Sequence, residues 1–259
     1  MSYVDAHLHL ADPGYSGKVD SVIEDAEKHE ISCLLSNAVD YSSSLETVTL
    51  AKHHEGRVFA AVGVHPWTVT HAKDYELEKF EQLLTENAGH VKAIGEIGLD
   101  GKYTQDQERK REQRKIFEFF LKLAETKRLP AIVHSRMALD EVLEILPSYN
   151  IPRVLLHWYS GPSEKLNLIQ DRHYLISIGP SVFYSGRIIK IARAADLNLI
   201  LSETDGPVSH HGPFEGQVTL PSFVVEVTRR LSELKALDLD AVRDAIWLNF
   251  HRLISKGME

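Results

Sequence analysis

The chain has 259 residues, of which 43% are hydrophobic, so it is long enough to bury a full core and too apolar for a disordered protein. Its 29 basic and 37 acidic side chains give a net charge of −8, which argues against a broad DNA-binding surface and limits any nucleic-acid contact to a local one. The single cysteine, Cys33, excludes an internal disulfide and a cysteine-based zinc cluster, and its apolar neighbours predict a buried, inert thiol. Because the sequence shows no basic-then-apolar leader and no long apolar run, we expect a soluble, cytoplasmic protein that does not bind membranes.

Short runs of β-branched residues alternate with amphipathic, charged segments along the whole chain. Segments such as KVDSVIEDAEKHE and REQRKIFEFFLKLAETKRL have helical periodicity, and DAVRDAIWLNFHRLI is typical of a closing helix. Eight such βα units without a linker predict one α/β domain over residues 1–259, a (β/α)8 TIM barrel with parallel strands. The predicted strands are Tyr3–His9, Ile31–Val39, Val58–Val64, Val91–Ile97, Ala131–His134, Val154–His157, Tyr174–Ile178 and Asn198–Glu203.

Polar side chains cluster at the ends of these predicted strands. Active sites of (β/α)8 barrels lie at the C-terminal ends of the strands, so we expect these residues to share one face. Histidine and carboxylate side chains are mostly kept out of cores unless they are paired. The residues are His7 and His9, His65, Glu96, His134 and Arg136, His157, and Glu203 and Asp205.

The spacing of these residues indicates a metal site. In a strand, residues i and i+2 lie on one side, about 6.6 Å apart, so His7 and His9 can grip one ion, and Glu203 and Asp205 repeat that spacing. Taken alone, the histidine pair is more typical of two hydrogen-bonded structural residues. The joint pattern of imidazoles and carboxylates at several strand ends instead predicts a divalent cation.

Six residues exceed what one tetrahedral ion needs, and they suit two ions about 4 Å apart. In this hypothesis one ion takes His7, His9 and Asp205, and the other takes His134 and His157. Glu96 is assigned as the bridge because its strand lies between the two histidine groups. A single-ion site is the main alternative, and for His157 a further alternative is a core histidine beside Trp158.

A series of motifs then resembles a known family. DAHLHL, GVHP, GEIGLD, PAIVHSR, HWYSG, ETDGP and NFHRL resemble, in order, those of the TatD family of metal-dependent deoxyribonucleases, within the amidohydrolase superfamily. The resemblance implies a (β/α)8 barrel, a centre of one or two Mg, Mn or Zn ions, and phosphodiester hydrolysis, often 3′-to-5′ exonuclease action on DNA. It also implies metal-ligand roles for His7, His9, Glu96, His134, His157 and Asp205.

The chain departs from many members of this family near the predicted rim. Trp158 and Tyr159 stand where many members have a cysteine and a phenylalanine, Gly206 lies inside TDGP, and a tight LDGKY segment follows Glu96. A second hypothesis is therefore a small-molecule enzyme of the same superfamily that acts on a lactone, an amide or a phosphoester. A third is a non-catalytic barrel that serves as a binding partner, which loss of ligand residues would favour.

Four residues receive roles in catalysis or substrate binding. Asp205 is predicted to accept a proton from the attacking water, with a pure ligand role as the alternative. Glu203 is predicted to bind the metal weakly or to orient a ligand histidine, or else to form a salt bridge within the barrel. Arg136 is predicted to clamp a substrate phosphate through its planar guanidinium, with a surface ion pair as the alternative, and His65 to touch substrate or hold its loop. The predicted substrate is DNA.

Aromatic residues near the strand ends could stack on bases of a frayed single strand, or could pack within loops. Two adjacent histidines, His210 and His211, are expected on a helix or loop surface, with a role at the rim as the alternative because they follow Asp205 closely. The aromatic residues are Trp67, Tyr103, Trp158, Tyr159 and Tyr184.

Overall fold

The computed structural model describes residues 1–71, 76–102 and 106–255. All eight predicted strand segments form strands, and each is followed along the chain by helical segments. The strands are β1 Tyr3–Leu8, β2 Ile31–Asn37, β3 Val58–Val62, β4 Val91–Gly98, β5 Ala131–His134, β6 Val154–Leu156, β7 Leu175–Ile178 and β8 Ile200–Ser202. The α-helices are α1 Val19–Lys28, α2 Tyr41–His53, α3 Pro66–His71, α4 Leu77–Glu86, α5 Gln107–Lys127, α6 Leu139–Ile145, α7 Leu166–Asp171, α8 Gly186–Ala194, α9 Phe223–Lys235 and α10 Leu239–Ile254.

Contacts divide the chain into two compact units, which we call the first and the second unit. The first unit comprises Met1–Ser36 and Trp158–Leu253. The second comprises Asn37–His157, with Ile254 and Ser255 of the described chain end. The single domain over residues 1–259 stays a prediction.

In the first unit, four parallel strands lie in the order β7-β8-β1-β2. Backbone pairing joins β1 to β2 and β7 to β8. The Ser202 hydroxyl donates to the Val4 carbonyl oxygen at 2.8 Å, which ties β8 to β1. Cys33 of β2 is buried, as predicted. Strand β8 begins two residues later than expected because the Asp196 carboxylate accepts from the Asn198 amide and caps a 3-10 turn over Leu197–Leu199.

In the second unit, four parallel strands lie in the order β3-β4-β5-β6. The long helix α5 packs against β4. It begins where the Asp106 carboxylate accepts from the Arg109 amide, and it buries Ile116, Phe117 and Phe120 at helical spacing. The strands of this unit are buried along nearly their whole length, as is typical of parallel strands covered on both faces. Among the described residues, no helix is long and apolar enough to cross a membrane.

Candidate metal centre

The first unit brings three predicted ligands together at the ends of β1 and β8. The Nε2 atoms of His7 and His9 lie 3.2 Å apart, and they lie 3.4 and 3.3 Å from Oδ1 of Asp205. Ligand atoms held about 2.1 Å from one tetrahedral ion would be about 3.4 Å apart, so this spacing fits a shared cation. We call these three residues the Asp205 group.

Backbone bonds between the two strand ends hold the Asp205 group in place. The Asp205 amide donates to the His7 carbonyl oxygen at 2.8 Å, and the His9 amide donates to that of Gly206 at 2.7 Å. Asp205 itself has a φ of +54°, a conformation that is uncommon for a residue with a side chain. A Cβ on Gly206 would lie 2.1 Å from the Tyr15 hydroxyl, so this departure within TDGP is explained by close packing.

Asp5 supports the Asp205 group through hydrogen bonds, and the sequence interpretation missed this residue. Its buried carboxylate accepts from the Thr204 amide at 3.0 Å, from the Thr204 hydroxyl at 2.5 Å and from the His7 amide at 3.3 Å. Burial raises the pKa of Asp5 to about 8, against the lowering effect of those hydrogen bonds. Asp5 therefore links His7 directly to the residue that precedes Asp205.

Glu203 is fully buried and lies one residue before Thr204 on the same strand end. Its Oε2 accepts a hydrogen bond from the Ser177 hydroxyl at 2.5 Å, and the Ser177 Oγ in turn accepts from the Trp158 amide at 3.1 Å. Ser177 lies on β7, so this hydrogen bond holds the Glu203 carboxylate against that strand.

The second unit contains another group, centred on one oxygen of Glu96. Oε1 of Glu96 lies 2.8 Å from His134 Nδ1, 2.6 Å from His157 Nε2 and 3.2 Å from His65 Nε2. Glu96 and His157 are buried, and the other two side chains are nearly so. We call these four residues the Glu96 group.

His65 lies inside the Glu96 group, although the sequence interpretation gave it a role with substrate or with its loop. Its Nε2 is 3.3 Å from His134 Nδ1, and its Nδ1 accepts from the Trp67 amide at 2.9 Å. His65, Glu96 and His134 form a set of donors that could hold a metal ion. The geometry thus favours a ligand role for His65.

Asp100 supports the Glu96 group from outside it, and the sequence interpretation also missed this residue. Its buried Oδ2 lies 2.7 Å from His134 Nε2, while Nδ1 of the same ring faces Glu96. Burial alone would lower the pKa of His134, but the hydrogen bonds with Asp100 and Glu96 raise it above its ordinary value. A pocket that favours a proton on this imidazole also favours a metal cation. The available signal was the aspartate four residues after Glu96 in GEIGLD.

We expect Asp100→Ala to weaken metal binding by about 10–100-fold, because removal of a carboxylate that orients a ligand histidine typically costs that much. Asp100→Asn should retain part of the affinity, since its amide oxygen can still accept from His134. Metal titration of the purified variants checks both results. Glu118→Ala is the control, since it removes an exposed carboxylate that pairs with Arg114 on α5. Parental affinity in Asp100→Ala would show that Asp100 does not orient the ligand.

The remaining predicted residues fall into different environments. Arg136 is exposed after β5, and the structure gives it no place in either ligand group. Tyr159 is buried and donates its hydroxyl to the Pro162 carbonyl oxygen, which agrees with the alternative that it packs within its loop. His210 is buried rather than on a surface, because its ring hydrogen bonds within the unit, whereas His211 is exposed. Trp67 is exposed, and Tyr103 lies outside the described residues.

Comparison with known proteins identifies relatives over nearly the whole chain. The family model described as TatD related DNase matches residues 4–255. An uncharacterized metal-dependent hydrolase of Methanocaldococcus jannaschii is 32% identical over 249 residues, which cover 96% of this chain and 95% of that one. The human protein named deoxyribonuclease TATDN3 is 30% identical over 267 residues, covering 99% of this chain and 96% of that one.

The solved structures agree with the sequence relatives. The crystal structure of YjjV, a TatD homologue from Escherichia coli, matches with a TM-score of 0.90 and 27% identity over 97% of each chain. The predicted (β/α)8 fold class is therefore confirmed, and this chain belongs to the TatD family as a metal-dependent hydrolase.

Proposed function

We propose that this protein is a deoxyribonuclease that removes nucleotides from the 3′ end of single-stranded or frayed DNA. The observation that carries the proposal is the convergence of two imidazole nitrogens on one oxygen of Asp205, a set of donors suited to a divalent ion. The family description and the name of the human relative supply the substrate class. The net charge of −8 favours a local contact with a strand end over a broad duplex interface.

The proposed metal content is one or two ions of Mg, Mn or Zn. His7, His9 and Asp205 would hold one ion, and Glu96, His134 and His157 would hold another, with His65 as an added ligand. An ion held there would lower the pKa of a coordinated water and neutralise charge on the scissile phosphate. The nitrogen and oxygen donors of both groups fit such an ion, because imidazole and carboxylate ligands suit a divalent cation. The bridging role of Glu96 stays a prediction.

The protein's own residues supply positioning and proton transfer. We assign Oδ1 of Asp205 to ligation, since it faces both imidazoles, and Oδ2 to accepting the proton of the attacking water. Glu203 is assigned to positioning, because it accepts from the Ser177 hydroxyl and so fixes the oxygen that accepts from the Trp158 amide. Arg136 is assigned to a non-reacting phosphate of the strand, where an exposed, planar guanidinium can form two hydrogen bonds. A cytoplasmic location completes the proposal.

The test is hydrolysis by metal-reconstituted protein of a labelled single strand, beside a panel of lactones, amides and simple phosphoesters. We expect stepwise shortening of the single strand from its 3′ end. A circular single strand serves as the control, because it has no end and should remain intact. Rapid cutting of the circle would contradict exonuclease action, and activity on lactones or amides without phosphoester hydrolysis would favour the small-molecule hypothesis.

We expect Arg136→Ala to lower kcat/KM on DNA by about 10–150-fold, the effect of losing charge-assisted hydrogen bonds to a phosphate. Metal content should not change, because Arg136 lies in neither ligand group. Arg111→Ala, at an exposed position of α5, is the matched control and should behave like the parent protein. An unchanged kcat/KM in Arg136→Ala would show that Arg136 does not bind substrate.

A further inference from the structure

An aromatic group next to Asp205 has no part in the chemistry assigned so far. Trp158 is half-buried, and its ring packs on that of His210, with centroids 5.5 Å apart and planes tilted by 39°. Its φ of +39° is a left-handed conformation that side chains rarely adopt. The Ser177 hydroxyl oxygen holds that conformation by accepting from the Trp158 amide at 3.1 Å. The fold therefore maintains an unfavourable backbone conformation that presents this indole.

His210 forms the rigid back of this group. Its Nε2 lies 2.8 Å from the Thr204 carbonyl oxygen, and since a carbonyl only accepts, the ring proton is assigned to Nε2. Nδ1 must then accept from the Tyr184 hydroxyl, which lies 3.2 Å away. His210 thus connects the residue before Asp205 to two aromatic side chains, and both of its ring nitrogens are used.

Tyr184 and Trp158 retain surface for a ligand. Tyr184 is 36% exposed, and the ring of His211 meets it edge-on at 5.6 Å. Within the part of the chain that the structure describes, no acceptor bonds the indole N–H of Trp158. A partly exposed indole with its N–H donor suits a planar, polar heterocycle better than it suits aliphatic packing.

We propose that Trp158, backed by His210 and flanked by Tyr184, is a stacking subsite for a nucleobase of the substrate strand. This inference rests on the proposed function for its substrate class. Because Thr204 and Asp205 are consecutive, the subsite and the Asp205 group are attached to the same short segment. A base that stacks on Trp158 would therefore help to place its own phosphate. Stacking is tolerant of sequence because every base has a π-face, so we expect little discrimination among the four bases.

The competing explanation is that this group only anchors the segment around Thr204. That explanation predicts equal losses for ligands with and without a base, whereas a stacking subsite predicts a loss confined to ligands that carry one. Deoxyadenosine 5′-monophosphate and deoxyribose 5-phosphate form the matched pair of probes, since they share the sugar and the phosphate, and a hydroxyl stands in place of the base in the second.

The experiment measures binding of both probes to the metal-reconstituted full chain by calorimetry. In the parent protein the nucleotide should bind about 5- to 150-fold more tightly than the sugar phosphate, the range expected for one stacked base. Trp158→Ala should abolish that preference, and Trp158→Phe should keep most of it. Trp247→Ala is the control, since Trp247 also packs on a histidine, His251, but lies on α10.

Hydrolysis of a single strand is measured on the same samples, so the two proposals fail separately. Failure of the parent protein to cleave DNA would contradict the proposed function, and the binding comparison would still test the stacking subsite. Equal preference for the nucleotide in the parent and in Trp158→Ala overturns the subsite even if DNA is cleaved. Absence of any preference in the parent overturns it as well.

Discussion

Asp205→Asn is expected to lower the single-turnover rate on DNA by about 10²–10⁴-fold per bound metal, the usual cost of removing a general base. Asparagine keeps the shape of the side chain and one carbonyl oxygen, but it cannot take up the proton of the attacking water. The surviving His7 and His9 should still hold an ion, since their Nε2 atoms lie 3.2 Å apart. We therefore expect metal affinity to fall only modestly.

The measurement combines metal content with single-turnover kinetics on the same protein sample. Asp238→Asn is a suitable control, because its carboxylate accepts from the amides of Asp240 and Ala241 before α10 and asparagine caps helices about equally well. A near-parental rate in Asp205→Asn at full metal content would remove Asp205 as the base. Glu203 would then be the next residue to test.

The fold could be predicted from the sequence because its signal is periodic and local. Each strand is a short β-branched run, and the helices between them repeat apolar residues at helical spacing. The pairing of His7 with His9 follows from the same local geometry, since alternate residues of a strand face one side. The periodicity could not predict how deeply each polar side chain is buried, because burial depends on contacts with residues distant in sequence.

Asp5 and Asp100 show why part of the site escaped prediction. Asp5 reaches Thr204, 199 residues away, and Asp100 reaches His134, 34 residues away. Each carboxylate hydrogen bonds with a predicted metal ligand, His7 or His134, although neither carboxylate stands at the end of a predicted strand. For a related reason the sequence could not separate a contact with substrate from a role in the loop for His65, since only the fold shows its ring against Glu96. Tyr159 and His210 are buried, and each hydrogen bonds with a backbone carbonyl group. The polarity of the residue type alone does not reveal such bonds.

Glu96→Gln should show the opposite ranking to Asp205→Asn, with bound metal lost before turnover per metal. Oε1 of Glu96 lies 2.6–3.2 Å from three imidazole nitrogens, so its charge is shared by the whole Glu96 group. Glutamine removes that charge and places a hydrogen-bond donor in a buried position that needs acceptors. We expect metal affinity to fall by more than the about 10–100-fold that loss of an orienting carboxylate costs.

Elemental analysis after desalting gives the metal content, and thermal unfolding gives a second readout that needs no activity. A ligand that binds only the folded state raises its stability by RT ln(1 + [L]/Kd), so added metal should raise the Tm of the parent protein. That rise should be much smaller for Glu96→Gln at the same metal concentration. Glu86→Gln, at an exposed position at the end of α4 in the same unit, should respond like the parent. A parental metal content and Tm response in Glu96→Gln, together with metal loss in Asp205→Asn, would reverse the ranking and show that the Asp205 group alone determines metal binding.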